Sequence, residues 1–336
     1  MKAALYSGPH HLDIVARDLR ALRDDEVLID VEACGICGTD VHIVEGTSRS
    51  SPPVVLGHEY AGRIVDKGKG VKSHTLGERV AVDPNISCGE CAYCRRGLIH
   101  LCSSLRALGV DIDGGMAEFC IVPAAQVYTL GDDMAPEVCA FVEPVSCAVH
   151  GIDKAQIASG DAVVIIGGGP IGQIMLQLAR VAGAAFTMLV EPVAEKRALA
   201  TASGASRVMD PNSADVAEAV FEDLPEGADV VIECAGLPAT AHLALKLTRR
   251  GGTVEFFGVC PIGSSLPLEP NQVYFKELTI VGSYINPHTF SRAIALLQQG
   301  RVVVKDFPIA RFPVDGVHEA LRHHRENLTL KSIIIP

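Results

Sequence analysis

Apolar positions along the chain change their spacing near residue 161. Before it, short alternating or β-branched runs bounded by glycine, at 26–32, 60–66, 78–83 and 117–122, predict a strand-rich segment with no long helix. From 161 onward six apolar runs, at 163–166, 187–190, 207–209, 230–233, 253–257 and 278–281, alternate with helical stretches. That alternation is the signature of a doubly wound parallel sheet. Beyond 286 a helix over 289–299 stops at Gly300, and a strand-rich texture with a last helix over 317–325 returns. The pattern predicts an α/β chain with a β-rich domain and a parallel-sheet domain. It contains no internal repeat, low-complexity tract or heptad.

A length of 336 residues leaves room for two cores without disulfide staples. The most apolar stretch, 162–179, is broken by three consecutive glycines and Pro170, and the opening MKAALYSGPHH has no charged-then-apolar leader. Both features argue against a membrane span or export signal and predict a soluble, cytoplasmic protein. A formal net charge of −11 with no stripe of Lys and Arg disfavours a nucleic-acid partner. The eleven cysteines are odd in number and lie in a long chain, so reduced thiols are expected. Cys34, Cys120, Cys139, Cys147, Cys234 and Cys260 sit mostly among apolar neighbours and read as small core residues.

Cys88, Cys91, Cys94 and Cys102 stand apart from these. Their spacing lets four thiolates converge on one tetrahedral ion, whereas such near neighbours make poor disulfide partners, and zinc is the natural occupant. A closed four-sulfur site holds structure and leaves no position for substrate. An iron–sulfur reading is the rival, but the last gap is longer than in the bacterial ferredoxin run.

Gly167, Gly169 and Gly172 spell G-x-G-x-x-G, with Pro170 and Ile171 inside it, directly after the run 163–166 and at the start of an amphipathic helix extending to about 181. Glycine there permits a tight turn and close approach of a pyrophosphate to the helix N-terminus. Glu191 ends the next strand, near the offset of about 20 residues expected for a carboxylate that binds ribose hydroxyls. Such a carboxylate repels a 2′-phosphate and favours NAD over NADP. Lys196 and Arg197 either flank the adenosine, reach a 2′-phosphate, or are simply solvated.

A second ligand set is spread over a hundred residues: Cys37 in CGICGTDVH, His58 and Glu59 in GHEYAG, and Glu143 in FVEPVSCAVHG, all placed at strand edges or glycine-rich turns. One thiolate, one imidazole and one carboxylate around Zn²⁺ give formal neutrality and leave a fourth position open, which is a catalytic arrangement. The Lewis-acid pull of such an ion lowers the pKa of a bound alcohol. Thr39 and His42 could then carry its proton to solvent. The bland alternative is that Thr39 caps a helix beginning at Asp40 and His42 decorates the surface.

Taken in order, GICGTDVH, GHEYAG, the four-cysteine lobe, DGGMAEF, VEP, GGGPIG and KELTIVGS cover nearly the whole chain, and the pattern resembles the zinc-dependent medium-chain dehydrogenases, in particular the sorbitol (polyol) and threonine dehydrogenase branch. The resemblance implies a GroES-like catalytic domain built from 1–145, with its zinc lobe at 86–104, and from 287–336, enclosing a Rossmann domain at 146–286, with the active site in the cleft between them. It implies two zinc ions per chain, with Cys37, His58 and Glu143 near the catalytic one, Glu59 able to exchange in as ligand, and Thr39 with His42 in the proton path. It further implies a homodimer or homotetramer. Glutamate at Glu143, where liver-type alcohol dehydrogenases carry cysteine, points to the polyol-like branch. Animal sorbitol dehydrogenases have an arginine after the last Rossmann strand, where this chain reads Gly282, Ser283, Tyr284, Ile285, Asn286, which argues against sorbitol itself. The expected reaction is NAD-linked interconversion of a secondary alcohol, a polyol or sugar derivative, and its ketone. The alternatives are an L-threonine-type or other amino or primary alcohol dehydrogenase, and an NAD-binding zinc scaffold or sensor without turnover.

Overall fold

One long strand, Glu26–Gly35, organises the strand-rich part of the chain in the computed structural model, which describes residues 1–336. Its odd-numbered apolar residues Val27, Ile29, Val31 and Ala33 are buried, as the period of two requires. It pairs antiparallel with Glu59–Lys67 along most of its length, while its first half also pairs with Phe119–Pro123. Its last residues, Cys34 and Gly35, pair with Ile334 and Ile333 of the C-terminal strand Lys331–Ile334. Register therefore brings residues 35–37, 59 and 331 together, although they come from opposite ends of the chain. The sheet is completed by Arg79–Val82, Val127–Thr129 and Ile309–Phe312. Met1–Pro144, Phe290–Gln298 and Val304–Pro336 form this first unit.

The second unit comprises Val145–Thr289 and Gln299–Val303. Its six parallel strands run, in spatial order, Arg207–Met209, Phe186–Val190, Ala162–Ile166, Ala228–Glu233, Thr248–Phe256 and Thr279–Gly282. The chain enters at the third position and reverses direction of growth between Ala162–Ile166 and Ala228–Glu233, the switch point where doubly wound sheets bind dinucleotides. Every residue of Ala162–Ile166 is buried because helices cover both faces.

Several expectations are corrected. The first segment does contain the start of a long helix, Val142–Ala155, and Glu143 lies in its first turn rather than at a strand edge or glycine turn. Pro144 pre-sets the helical φ there, and a carboxylate favours the positive end of a helix. Thr39 is not a cap: the helix is Gly38–Val44, with Cys37 at its N-cap. Of the six cysteines read as core, Cys34, Cys120 and Cys139 are fully buried, whereas Cys147, Cys234 and Cys260 are partly exposed.

Candidate functional site

The metal-ligand candidates are assembled by the sheet register and one short helix. Cys37 ends the turn out of Glu26–Gly35, while Glu59 opens the strand paired to it, with His58 just before. The donor atoms of Cys37, His58 and Glu59 all lie within 4.8 Å of one another, with His58 and Glu59 buried. Soft thiolate, imidazole and carboxylate in one buried spot fit a zinc ion. Asp40, fully buried, supports two of the three: its Oδ2 accepts from the Cys37 backbone N–H at 2.8 Å and its Oδ1 lies 3.5 Å from His58 Nδ1. Burial alone would push His58 toward neutrality, yet the neighbouring Asp40 and Cys37 outweigh it and hold the imidazole well above its ordinary pKa. A metal entering here would displace that proton, with Nδ1 facing Asp40 and the other ring nitrogen left for the ion.

Glu143 is buried but stands outside this triplet. It is near enough to Lys331 to help raise that ammonium's pKa, along with Glu59 and Cys37 and against the effect of burial. Thr39 places its Oγ1 3.7 Å from Cys37 Sγ. His42, one helical turn on, is exposed, with its ring 3.4 Å from Thr47 Oγ1. The two share a helix face at a spacing of three residues, running from the candidate ligand toward solvent.

The cysteine lobe is equally well formed. Cys88, Cys91, Cys94 and Cys102 bring their sulfurs within 4.8 Å of one another, and none is in a disulfide. Backbone N–H groups of Cys88 and Ser104 point at Cys102 Sγ, at 3.3 and 3.4 Å, and that of Cys91 at Cys88 Sγ, at 3.4 Å. Backbone N–H groups, that of Cys94 first, hold the Cys91 thiol down to about 5, whereas desolvation and then Cys91 push Cys94 up to about 11. Four thiols sharing so small a space, some already favouring the thiolate, match a tetrahedral zinc.

The glycine turn has the geometry a dinucleotide needs. Gly167 has φ +103°, and a Cβ on it would sit 2.9 Å from the Ala235 backbone nitrogen. A Cβ on Gly172 would overlap the Gly167 carbonyl oxygen, so glycine alone lets the helix Pro170–Ala182 pack on its strand. Gly169 is the N-cap, followed by Pro170 and Ile171 in the first turn. The Glu191 carboxylate is buried and accepts from Gly168 N–H at 2.7 Å and Val193 N–H at 2.9 Å. Two N–H groups use half of its acceptor capacity and leave lone pairs for ribose hydroxyls. Arg197 is not simply solvated: it donates to the Glu191 carbonyl at 2.7 Å and pairs with Asp210 at 3.1 Å. Lys196 is half-buried, and its carbonyl accepts from Gln173 Nε2 at 2.8 Å.

Residues 23–132 match the alcohol dehydrogenase GroES-like domain, and residues 170–299 match the zinc-binding dehydrogenase domain. D-arabinitol dehydrogenase 1 of Uromyces fabae is 34% identical over 100% of this chain and 97% of its own length. The chain belongs to the zinc-dependent medium-chain dehydrogenase family. L-threonine 3-dehydrogenase of Caldanaerobacter subterraneus subsp. tengcongensis is 37% identical over 80% of this chain and 79% of its own. A zinc-binding dehydrogenase structure from Sinorhizobium meliloti 1021, bound to NADP, superposes with a TM-score of 0.97 at 39% identity, covering 100% and 99% of the two chains.

Two residues of this candidate site escape a reading of motifs. Asp40 carries a local signal, since an acid three residues after an N-cap is the second half of a capping box. Lys331 carries none. Asp40→Asn is expected to weaken zinc binding at Cys37 and His58 by about 10- to 100-fold, because one amide cannot present acceptors to both the Cys37 N–H and the imidazole. Competition with a chromogenic chelator measures this, and unchanged zinc release would show that Asp40 does not orient the site.

Proposed function

We propose that this chain catalyses the reversible, zinc-dependent oxidation of a secondary alcohol, on a polyol or sugar-derived substrate, to the ketone, with NAD as hydride acceptor. The observation that carries this reading is the buried convergence of Cys37, His58 and Glu59 within 4.8 Å, with Glu143 close enough to Lys331 to act on its charge. Zinc held by Cys37, His58 and one carboxylate would supply Lewis-acid polarisation of the alcohol oxygen. The chain's own residues do the rest. Asp40 orients the imidazole, Thr39 accepts the substrate proton, and His42 passes it to solvent. Gly167, Gly169, Pro170, Ile171 and Gly172 form the pyrophosphate cradle, with Lys196 at its flank and Glu191 on the adenosine ribose. The four-cysteine lobe holds a second, structural zinc. The catalytic domain comprises 1–145 and 287–336, and the dinucleotide domain 146–286.

Two features support narrower statements. The arabinitol relative aligns end to end and supports the polyol class, whereas the identity to a threonine dehydrogenase keeps L-threonine as the second reading. Glu191 argues for NAD by charge, although the Sinorhizobium protein was solved with NADP. A homodimer or larger assembly is supported by the edge strand Thr279–Gly282, whose outer ladder groups are unpaired. Beside it in sequence Ile262, Tyr274 and Phe275 are 91%, 78% and 68% exposed, an apolar surface suited to a second copy. No helix is long and apolar enough to cross a membrane, and we place the enzyme in the cytoplasm.

The deciding experiment follows nicotinamide reduction by zinc-loaded enzyme with NAD and with NADP against polyols, sugar acids, sugar phosphates and L-threonine. Turnover with NAD on a polyol or sugar derivative is expected. Turnover confined to L-threonine would move the chain to the second reading. NAD binding without turnover on any alcohol would make it a scaffold or sensor.

A further inference from the structure

The helix Pro170–Ala182 buries a glutamine that neither the glycine fingerprint nor the ribose carboxylate accounts for. Gln173 directly follows Gly172 and is fully buried. Its Nε2 donates to the Gly168 carbonyl at 3.1 Å and to the Lys196 carbonyl at 2.8 Å. Its Oε1 has no hydrogen-bond partner. The opposite amide orientation would set Oε1 against two carbonyl oxygens, so the hydrogen-bond network fixes the assignment. A buried acceptor left unpartnered is costly, which means that the residue is retained for its two donors.

Gly168 is thereby held from both sides. Its N–H donates to Glu191 Oε2 at 2.7 Å, and its carbonyl accepts from Gln173. A Cβ on Gly168 would stand 2.8 Å from Glu191 Cγ, so the clamp closes only on glycine. Because the peptide bond is planar and trans, a carbonyl drawn inward toward Gln173 turns the next N–H, that of Gly169, the opposite way. Few other donors are left at this turn. Gly167 N–H goes to the Val190 carbonyl at 2.9 Å, Gly168 N–H goes to Glu191, and Pro170 has none. Gly169 at the N-cap and Ile171 in the first turn therefore carry the donors that the start of this helix offers to an anion. The bond from Gln173 to Lys196 ties the same turn to the helix Ala194–Ala202, which follows Glu191.

We infer that Gln173 is a positioning residue for the diphosphate of the dinucleotide: by holding the Gly168 carbonyl inward, it presents the Gly169 N–H to the phosphates. This inference rests on the dinucleotide reading of the glycine turn given above. The metal site plays no part in it.

The test measures Kd on full-length enzyme, by calorimetry for NAD and ADP-ribose and by ligand NMR for adenosine, together with KM for NAD in the alcohol-oxidation assay. Gln173→Met keeps the length of the side chain and removes both donors. It is expected to raise Kd for NAD and ADP-ribose, and KM for NAD, about tenfold. Adenosine affinity and kcat at saturating NAD should stay at their wild-type values, because neither depends on how the diphosphate is held. Gln173→Glu, which turns acceptors toward both carbonyls, should lose at least as much ADP-ribose affinity. If Gln173→Met does not fold, Gln173→Asn, whose amide is one methylene too short to reach both carbonyls, is read in the same way. Unchanged ADP-ribose affinity would overturn the inference. So would a loss of equal size for adenosine, since Gln173 would then support the adenosine side or the fold at large. Wild-type enzyme that binds neither NAD nor ADP-ribose would instead overturn the dinucleotide reading itself.

Discussion

Cys37→Ser is expected to lower kcat/KM by at least about 10³-fold while the protein stays folded and still binds dinucleotide. The loss follows from the metal: a hydroxyl is a poor zinc ligand at neutral pH, and several kcal/mol of Lewis-acid stabilisation go with the ion, at about 1.4 kcal/mol for each factor of ten. The fold should survive because the local role of Cys37 is carried by its backbone. Its N–H donates to Asp40 Oδ2 at the start of Gly38–Val44, and serine is itself a favoured N-cap residue. The glycine turn that would bind the pyrophosphate belongs to the other unit. Metal analysis should find one zinc per chain in the variant against two in wild type, the survivor being in the cysteine lobe. Wild-type turnover with a single zinc would remove Cys37 from the chemistry.

The parts of this molecule that could be read from its sequence are those fixed by local rules. Ala162–Ile166 is apolar throughout because it is buried on both faces, and the run 163–166 marks it within a residue. Thr248–Phe256 was legible only from residue 253, since its first residues, TRRGG, are polar, partly exposed and bulged against Ala228–Glu233. The cysteine lobe needs only its spacing, because a compact loop brings its four thiols together. Cys37, His58 and Glu59 lie in short glycine-flanked motifs that signal unusual backbone. Lys331 does not, since its position beside Glu59 depends on strand register between distant segments. The helical setting of Glu143 was missed for a related reason: a five-residue helix, Pro136–Ala140, ends just before it, and the intervening sequence reads as a loop.

Wild-type enzyme should lose stability between about pH 5 and pH 8, and Glu255→Gln should abolish most of that loss. Glu255 lies on Thr248–Phe256 in register with Ile232 and Val281, so its side chain points out of the sheet among apolar neighbours. It is fully buried, and neither carboxylate oxygen has a hydrogen-bond partner. The helix Val142–Ala155 passes over it at Gly151, where a Cβ would stand 2.8 Å from Glu255 Oε1 and 2.9 Å from the Phe257 ring. Burial raises its pKa from 4.5 to about 8, only partly opposed by Lys154 on that helix. The folded chain therefore keeps a proton that the unfolded chain releases near pH 4.5. Stability from this group is full below that pH, falls as pH rises to about 8, and levels off beyond. A shift of this size corresponds to an upper figure of roughly 5 kcal/mol. The ionisable groups nearby do not reverse the sign: burial raises the Cys234 thiol, and burial also raises Glu233, against the lowering effect of the bonds it accepts from Thr240 and from the N–H groups of Ala235 and Gly236. Glutamine keeps the shape of the neutral acid and cannot ionise, so the variant should match wild type near pH 5 and exceed it by several kcal/mol at pH 8.5. Urea unfolding of both proteins at the two pH values measures the difference. An equal difference at both would mean that Glu255 finds a partner or water when charged.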